Sequence, residues 1–252
     1  MENDDWRISG GIQGGTGKHI KYKVDHTVYG AFTSFDYAFT EKLNLTLGGR
    51  YTDEEKDATL SQLGAYDASG GTVGCSADGA PAFAESLENP KDSIDFSSCT
   101  ASFKGDESWD NFTPKAVVQY FINDDAQVYA SYSKGYRSGG FSARALLGTD
   151  PIFDEEEMDA YEVGFKLDFA FGGRLNGALF YNELSDLQRD VFLSIETGEQ
   201  VTRNAGDAEM TGGELEAWVP IGDYFLVQAS LGYVDTEYTS LNLGDEQDYD
   251  CL

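Results

Sequence analysis

The feature that most limits the fold of this chain is a period-two alternation between Ala126 and Phe141, in the sequence AQVYASYSKGYRSGGF. Val128, Ala130 and Tyr132 fall on one face of an extended segment. The opposite face carries Gln127, Tyr129, Ser131 and Ser133. An apolar, aromatic-rich face opposite a small polar face is typical of a membrane-spanning β-strand. A strand of a soluble β-sandwich alternates in the same way. The pattern in the rest of the chain is therefore needed to distinguish a membrane-spanning strand from a soluble one.

The same alternation recurs along the chain and predicts about nine strands. The clearest example is Tyr161–Phe169, in which aromatic and aliphatic residues alternate with Glu162, Gly164, Lys166 and Asp168. The other alternating segments are 28–39, 43–51, 112–122, 126–137, 175–187, 214–219 and 225–233, with a weaker one at 6–11.

Short turns and long connections alternate between these segments. The short turns fall at 40–42, 123–125, 172–173 and 220–223, and the long connections at 52–108, 138–158 and 189–206. Outer-membrane barrels have short turns on the periplasmic side and long loops outside, whereas a soluble sandwich has no reason for this order. The sequence therefore predicts an all-β fold, a segment of an antiparallel transmembrane β-barrel. Near the strand ends lie Tyr51, Tyr132, Tyr161 and Tyr181, which fit an aromatic girdle or ordinary cross-strand packing.

Charge and hydropathy narrow the function further. The 252-residue chain has a net charge of −28, which argues against a nucleic-acid partner because phosphate binding needs basic patches. Acidic runs at 53–57, 154–157 and 245–250 are interpreted as solvated loop tips, since none has the ligand spacing of a calcium loop. The sequence contains no run of 18 apolar residues, so it predicts no transmembrane helix.

Three cysteines lie in polar sequence rich in Gly and Ser. Cys75 and Cys99 share one long connection, and a disulfide between them would stabilise the fold by about 3 kcal/mol through loop closure. Free thiols are the alternative. Neither a CxxC motif nor a Cys/His cluster supports a zinc site.

Four motifs in order resemble the TonB-dependent outer-membrane receptors. They are LNLTLGGRYTDEEK from Leu43, SYSKGYRSGGF from Ser131, EEEMDAYEVGFKLDF from Glu155 and NAGDAEMTGGELEAW from Asn204. The resemblance covers nearly the whole chain. It implies a barrel of about 22 strands, filled by an N-terminal plug, in the outer membrane of a Gram-negative bacterium.

The same resemblance implies the function. Such receptors take up scarce nutrients, most commonly ferric siderophores, and an energy-coupling protein of the TonB type acts on the plug. Partners would then be outer-membrane lipid, this coupling protein and a small chelate, with no cofactor. We expect residues 1–252 to be a partial barrel domain that lacks the plug, the signal peptide and the C-terminal strands.

No catalytic constellation is visible in the sequence. The two histidines, His19 and His26, lie in one segment without a Ser or Cys nucleophile pattern, so a barrel enzyme is disfavoured and solvated histidines are preferred over a metal pair. Besides a receptor, the sequence is compatible with a passive outer-membrane channel and with a secreted soluble β-sandwich used for adhesion.

The candidate ligand-binding residues are four arginines near the predicted outer ends of strands. They are Arg137, Arg144, Arg189 and Arg203. Guanidinium groups there could hold an anionic ligand through bidentate hydrogen bonds. Alternatively, they pair with Glu155–Glu157, Asp190 or Glu209 and only structure the wall.

Overall fold

A computed structural model of the chain describes residues 3–9, 18–63, 103–145, 150–194, 199–242 and 248–249. In chain order the strands are β1 (Asn3–Ser9), β2 (Lys18–Ala38), β3 (Leu43–Leu63), β4 (Phe103–Asn123), β5 (Ala126–Arg137), β6 (Gly140–Phe141), β7 (Ile152–Phe153), β8 (Glu156–Asp168), β9 (Arg174–Ser185), β10 (Gln188–Ser194), β11 (Glu199–Asn204), β12 (Gly206–Ile221), β13 (Phe225–Asn242) and β14 (Asp248–Tyr249). The described residues contain no helix long and apolar enough to cross a membrane.

Ten of these strands form one antiparallel sheet in the order β1-β2-β3-β4-β5-β8-β9-β12-β13-β14. Nine of them are 7 to 21 residues long, and β14 adds a two-residue pairing to β13. Each strand pairs with its neighbours in the chain, apart from two small hairpins, β6–β7 and β10–β11, which stand outside the sheet. This is the up-and-down order of a barrel wall, and it confirms the predicted strand number.

The register brings the alternating residues of successive strands onto common faces. One row runs Val118, Ala130, Val163, Leu179 and Gly213, and the next carries Ala116, Tyr132, Tyr161, Tyr181 and Thr211. The side chains of this face are largely unburied; Leu179 is 65% exposed and Leu231 is 72% exposed. A continuous apolar face without a covering layer requires lipid as its solvent.

Three of the four predicted girdle tyrosines form one lateral row. The rings of Tyr132 and Tyr161 lie 5.2 Å apart, and those of Tyr161 and Tyr181 lie 6.4 Å apart. Tyr51 lies on the same face, where it pairs with Phe112. It is not part of the row, because the β3 residue in register with the row is Leu47, four positions earlier. A row of tyrosines at one height of the apolar face fits an interfacial belt.

The short turns and long connections occupy opposite ends of the sheet. At the glycine hairpin between β8 and β9, the Phe169 amide donates to the Gly173 carbonyl over 2.8 Å, and Gly172 adopts a φ of 83°, which explains its identity. All long connections leave from the other end, which we call the outer end.

The predicted loop over 52–108 was wrong at both of its ends. Strand β3 continues to Leu63 and β4 begins at Phe103, so the acidic run 53–57 lies in a strand rather than at a loop tip. At about 3.3 Å per residue, a 21-residue strand is roughly twice as long as a membrane crossing requires. The ladder between β3 and β4 continues through the projecting part to Leu60 opposite Phe103, although the apolar alternation ends.

The predicted connection over 189–206 likewise contains a hairpin, made of β10 and β11. Buried side chains concentrate at this end in two clusters. The first contains Ala58, Leu60, Trp109 and Phe141, and the second contains Ala145, Val191, Val201 and Ala205. Both hydrophobic clusters of buried side chains found among the described residues therefore belong to the outer end.

Candidate functional site at the outer end

The site is built from two connections that fold over the outer end of the sheet. The β5–β8 connection contains β6 and β7, and the β9–β12 connection contains β10 and β11. We call the described parts of these connections, residues 138–145, 150–155, 186–194 and 199–205, the cap.

The cap packs against β3 and β4 through Phe141. Its ring centroid lies 6.2 Å from that of Trp109 and 5.6 Å from that of Phe103, and the Tyr22 hydroxyl donates to its carbonyl over 3.1 Å. Trp109 is on the face of β4 opposite Phe112 and the apolar face. The cap therefore covers the polar side of the sheet, which is the lumen side of a barrel.

Gly139 allows this close approach. A Cβ atom there would overlap both Trp109 Nε1 and the Phe153 carbonyl, so no larger residue fits. Strand β5 ends at Arg137 and β6 begins at Gly140, so the chain leaves the wall at this point.

Lys56 links the wall to the start of the cap. Its Nζ donates to Ser138 Oγ over 2.7 Å and to the Gly139 carbonyl over 2.5 Å. Ser138 in turn donates to Glu54 Oε2 over 2.7 Å, and His26 Nε2 lies 2.8 Å from the same oxygen. The Lys56 side chain is only 16% exposed.

Burial is the main cause that lowers the pKa of Lys56; Glu54 opposes this shift, and the Arg137 charge adds to it. Arg137 and Lys56 therefore bring two positive charges near one another at the cap's base. Glu54 Oε2, 3.9 Å from Lys56 Nζ, is the nearest counter-charge to these two cations.

The four candidate arginines occupy three different settings. Arg137 ends β5, exposed and opposite Glu156 in the register. Arg144 forms an ion pair with Asp190 at 3.3 Å and donates to Gln200.

Arg189 and Arg203 lie directly opposite one another on β10 and β11. Arg189 Nη1 donates to the carbonyl of Gln188 over 3.0 Å. Among the side chains that the structure describes, no carboxylate lies within 4.0 Å of Arg137, Arg189 or Arg203. The wall-pairing alternative thus describes Arg144 and not the other three, and their role in ligand binding stays a prediction.

Two polar side chains that the sequence analysis did not select hold the cap together. Gln188, only 5% exposed, and Asn204 donate their carboxamide hydrogens to backbone carbonyls at the ends of the wall strands. Their signal in the sequence is weak, because a glutamine and an asparagine in polar segments are ordinary loop residues.

Asp186 shows how acidic the cap's base is. Burial, and then the charges of Asp207, Asp154 and Glu157, raise the pKa of its carboxyl group. The residue also has a positive φ of 55°, in the left-handed region that Asp and Asn tolerate best.

Some predictions fall outside the described residues. Cys75 and Cys99 belong to this group, so their disulfide stays a prediction. Within the described ranges, no group of three or more His, Cys, Asp and Glu side chains could hold a metal ion, and His26 instead pairs with Glu54.

Sequence comparison places the chain among known receptors. A family model described as "TonB dependent receptor-like, beta-barrel" matches residues 2–250. The pesticin receptor of Yersinia enterocolitica is 32% identical over 116 residues, covering 45% of this chain and 16% of that receptor. The probable TonB-dependent siderophore receptor PiuA of Acinetobacter baumannii is 24% identical over 149 residues, covering 56% and 19%. The chain spans less than a fifth of the length of these curated relatives.

Solved structures share the fold. The ferric yersiniabactin uptake receptor FyuA from Yersinia pestis superposes with a TM-score of 0.62 at 19% identity, covering 89% of this chain and 28% of that receptor. The siderophore receptor PiuA from Acinetobacter baumannii superposes with a TM-score of 0.58 at 18% identity, and the match covers 93% of this chain and 28% of that receptor.

The family match and the all-strand antiparallel sheet confirm the predicted fold class, and the matched proteins are outer-membrane receptors of Gram-negative bacteria rather than enzymes. The chain belongs to the TonB-dependent receptor β-barrel family.

Proposed function

We propose that this chain forms part of the wall and outer mouth of a receptor for energy-coupled nutrient uptake. The ligand is a ferric siderophore or a similar anionic chelate. Residues 1–252 are a partial barrel domain in this proposal, with the plug and the C-terminal strands supplied from outside this segment. A TonB-type protein acts through that plug, and outer-membrane lipid surrounds the wall.

The observation that carries the proposal is the pair formed by Arg189 and Arg203. The chain has 45 acidic and 17 basic residues, yet these two guanidinium groups share one rung of the hairpin without a carboxylate partner among the described side chains. Two adjacent planar cations match the oxygen atoms of an anionic ligand. Relatives named as siderophore and ferric yersiniabactin receptors support this choice.

Arg137 and Arg144 contribute differently in this proposal. Arg137 is exposed at the base of the cap, beside Lys56, and attracts an anion directly. Arg144 is already paired with Asp190, so it reaches a ligand only when that ion pair opens.

The test uses the protein expressed with its natural flanking sequence in detergent. Tryptophan fluorescence would follow titration with a trianionic ferric tris-catecholate and with an uncharged ferric tris-hydroxamate. We expect the anionic chelate to bind more tightly. The double substitution R189Q/R203Q should weaken its binding by about a hundredfold to ten-thousandfold, since it removes two charged hydrogen bonds that each contribute about 1.5–3 kcal/mol.

Arg174→Gln is the matched control, because Arg174 lies at the short-turn end and pairs with Asp168 at 2.7 Å. It should leave chelate affinity unchanged. Equal affinity for both chelates with no effect of R189Q/R203Q would contradict the proposal. Ligand-independent swelling of proteoliposomes without chelate binding would favour a passive channel instead.

A further inference from the structure

The hairpin β10–β11 is joined to the wall by the two side chains of its first rung. Gln188 and Asn204 are paired in the register, and Arg189 and Arg203 form the next rung. Because successive residues of a strand point to opposite faces, the first rung faces away from the arginines. Because the two rungs are consecutive, fixing the Gln188–Asn204 rung also fixes the direction in which Arg189 and Arg203 point.

Gln188 binds the ends of two wall strands. Its Nε2 donates to the Ser138 carbonyl over 2.9 Å, just after β5, and to the Asp154 carbonyl over 3.0 Å, just before β8. Its backbone amide also donates to Glu156 Oε2 over 2.7 Å. The side chain is almost fully buried, so these bonds are shielded from water.

Asn204 binds the backbone just after the end of β9 and, like Gln188, the backbone just before β8. Its Nδ2 donates to the Asp186 carbonyl over 2.8 Å, to the Asp154 carbonyl over 3.0 Å and to the Glu155 carbonyl over 3.1 Å. Its Oδ1 accepts the Asp154 amide over 2.7 Å. Both carboxamides thus meet on the Asp154 carbonyl.

Only a carboxamide provides two hydrogen-bond donors and an acceptor in one uncharged group. The carbonyls that these side chains bind lie where the ladders of β5, β8 and β9 end, so they have no strand partner there. The rung therefore fixes the hairpin relative to three wall strands at once.

We propose that Gln188 and Asn204 are positioning residues for ligand binding, which hold the Arg189–Arg203 rung in its binding geometry. This inference rests on the proposed function, since it assigns to the two carboxamides an effect on affinity that passes through the arginines. Neither residue needs to touch the ligand.

The test introduces Gln188→Met, which keeps the size of the buried side chain but removes its donors, and Asn204→Ala as an independent second variant. The probe is the ferric tris-catecholate, titrated against the protein expressed with its natural flanking sequence. We expect each variant to weaken binding by about tenfold or more, because displaced contact groups lose their alignment. Gln228→Met, on exposed β13 opposite Trp218, is the control and should bind normally.

The same variants are then made in the R189Q/R203Q background. If the carboxamides act through the arginines, their effect on affinity disappears there, while amide hydrogen exchange in β10 and β11 is still faster than in the parent. A purely structural role would not produce this dependence on background.

Three outcomes would overturn the inference: unchanged chelate affinity in both variants, an equal loss of affinity with and without the arginines, or unchanged hairpin exchange. If the parent binds no chelate, the proposed function fails. The positioning inference, which rests on that function, falls with it, whereas tight chelate binding by the parent and by both variants overturns the positioning inference alone.

Discussion

Asp186 illustrates how neighbouring acidic groups act on a single residue at the cap's base. Its carboxyl group lies among Asp207, Asp154 and Glu157, and its pKa is raised in the folded protein. A raised pKa means that its contribution to stability is fully present below the unfolded pKa and is lost as the pH rises through the folded pKa. At neutral pH the ionised carboxylate therefore destabilises the fold.

Asp186→Asn should accordingly stabilise the protein at neutral pH. Asparagine tolerates the positive φ of this position and removes the repelling charge. Because the side chain is exposed, we expect a gain of about 0.5 kcal/mol or less. Thermal unfolding followed by circular dichroism at pH 7 would measure it, and the gain should vanish near pH ~3.5, where carboxyl groups are protonated.

Asp168→Asn is the matched control for this change. Asp168 is paired with Arg174, so removal of its charge should not stabilise the protein. A rise in midpoint for both variants, or for neither, would contradict the account of Asp186.

At the scale of elements, the cap depends on a polar link to β3. Lys56 has three close acceptors or partners there: Ser138, Gly139 and the aromatic ring of Trp109, whose centroid lies 5.2 Å from Nζ. Glu54 lies beside them and would lose its nearby positive charge without Lys56. This link and the packing of Phe141 fold the connection over the polar face of the sheet.

Lys56→Met should loosen the cap while leaving the wall intact. Loss of the bonds to Ser138 and Gly139 leaves buried acceptors unpaired, which costs about 1–3 kcal/mol of local stability. Amide hydrogen exchange at residues 138–145 should therefore become faster, with β8 and β9 unaffected. Lys115→Met, on the same face and closer to the short turns, is the control. Equal exchange in both variants would show that Lys56 does not hold the cap.

The sequence predicted the wall elements well and the outer elements poorly, for one physical reason. Between Leu43 and Tyr51, or Tyr161 and Phe169, lipid on one side and a polar lumen on the other impose a strict alternation. Beyond the bilayer this contrast ends, so Asp53 to Asp57 lacked a strand signal although β3 continues through them.

The small hairpins escaped prediction for the same reason. The contacts that fix them, from Lys56 to Ser138 and from Gln188 to Asp154, join residues 82 and 34 positions apart. Local pattern contains no information about such pairs. The arginines were found from charge and position alone, and their opposed placement on β10 and β11 required the structure.

At the scale of the whole molecule, the central claim is that the apolar face of the sheet meets lipid. It has a row of tyrosines near the outer end and, from there to the short turns, residues such as Val163, Phe165 and Leu167. Residues between them, including Glu162 and Lys166, belong to the lumen face. Successive residues of β8 should therefore alternate between lipid and the aqueous lumen.

The most direct test is a spin-label accessibility scan along residues 161–167 of β8, one label at a time. The protein would carry its natural flanking sequence, have serine in place of Cys75, Cys99 and Cys251, and be reconstituted in lipid bilayers. We predict that labels at 161, 163, 165 and 167 collide preferentially with lipid-soluble oxygen, and labels at 162, 164 and 166 with a water-soluble nickel chelate. Accessibility without this period of two, or with water-soluble reagent favoured at every position, would contradict the account.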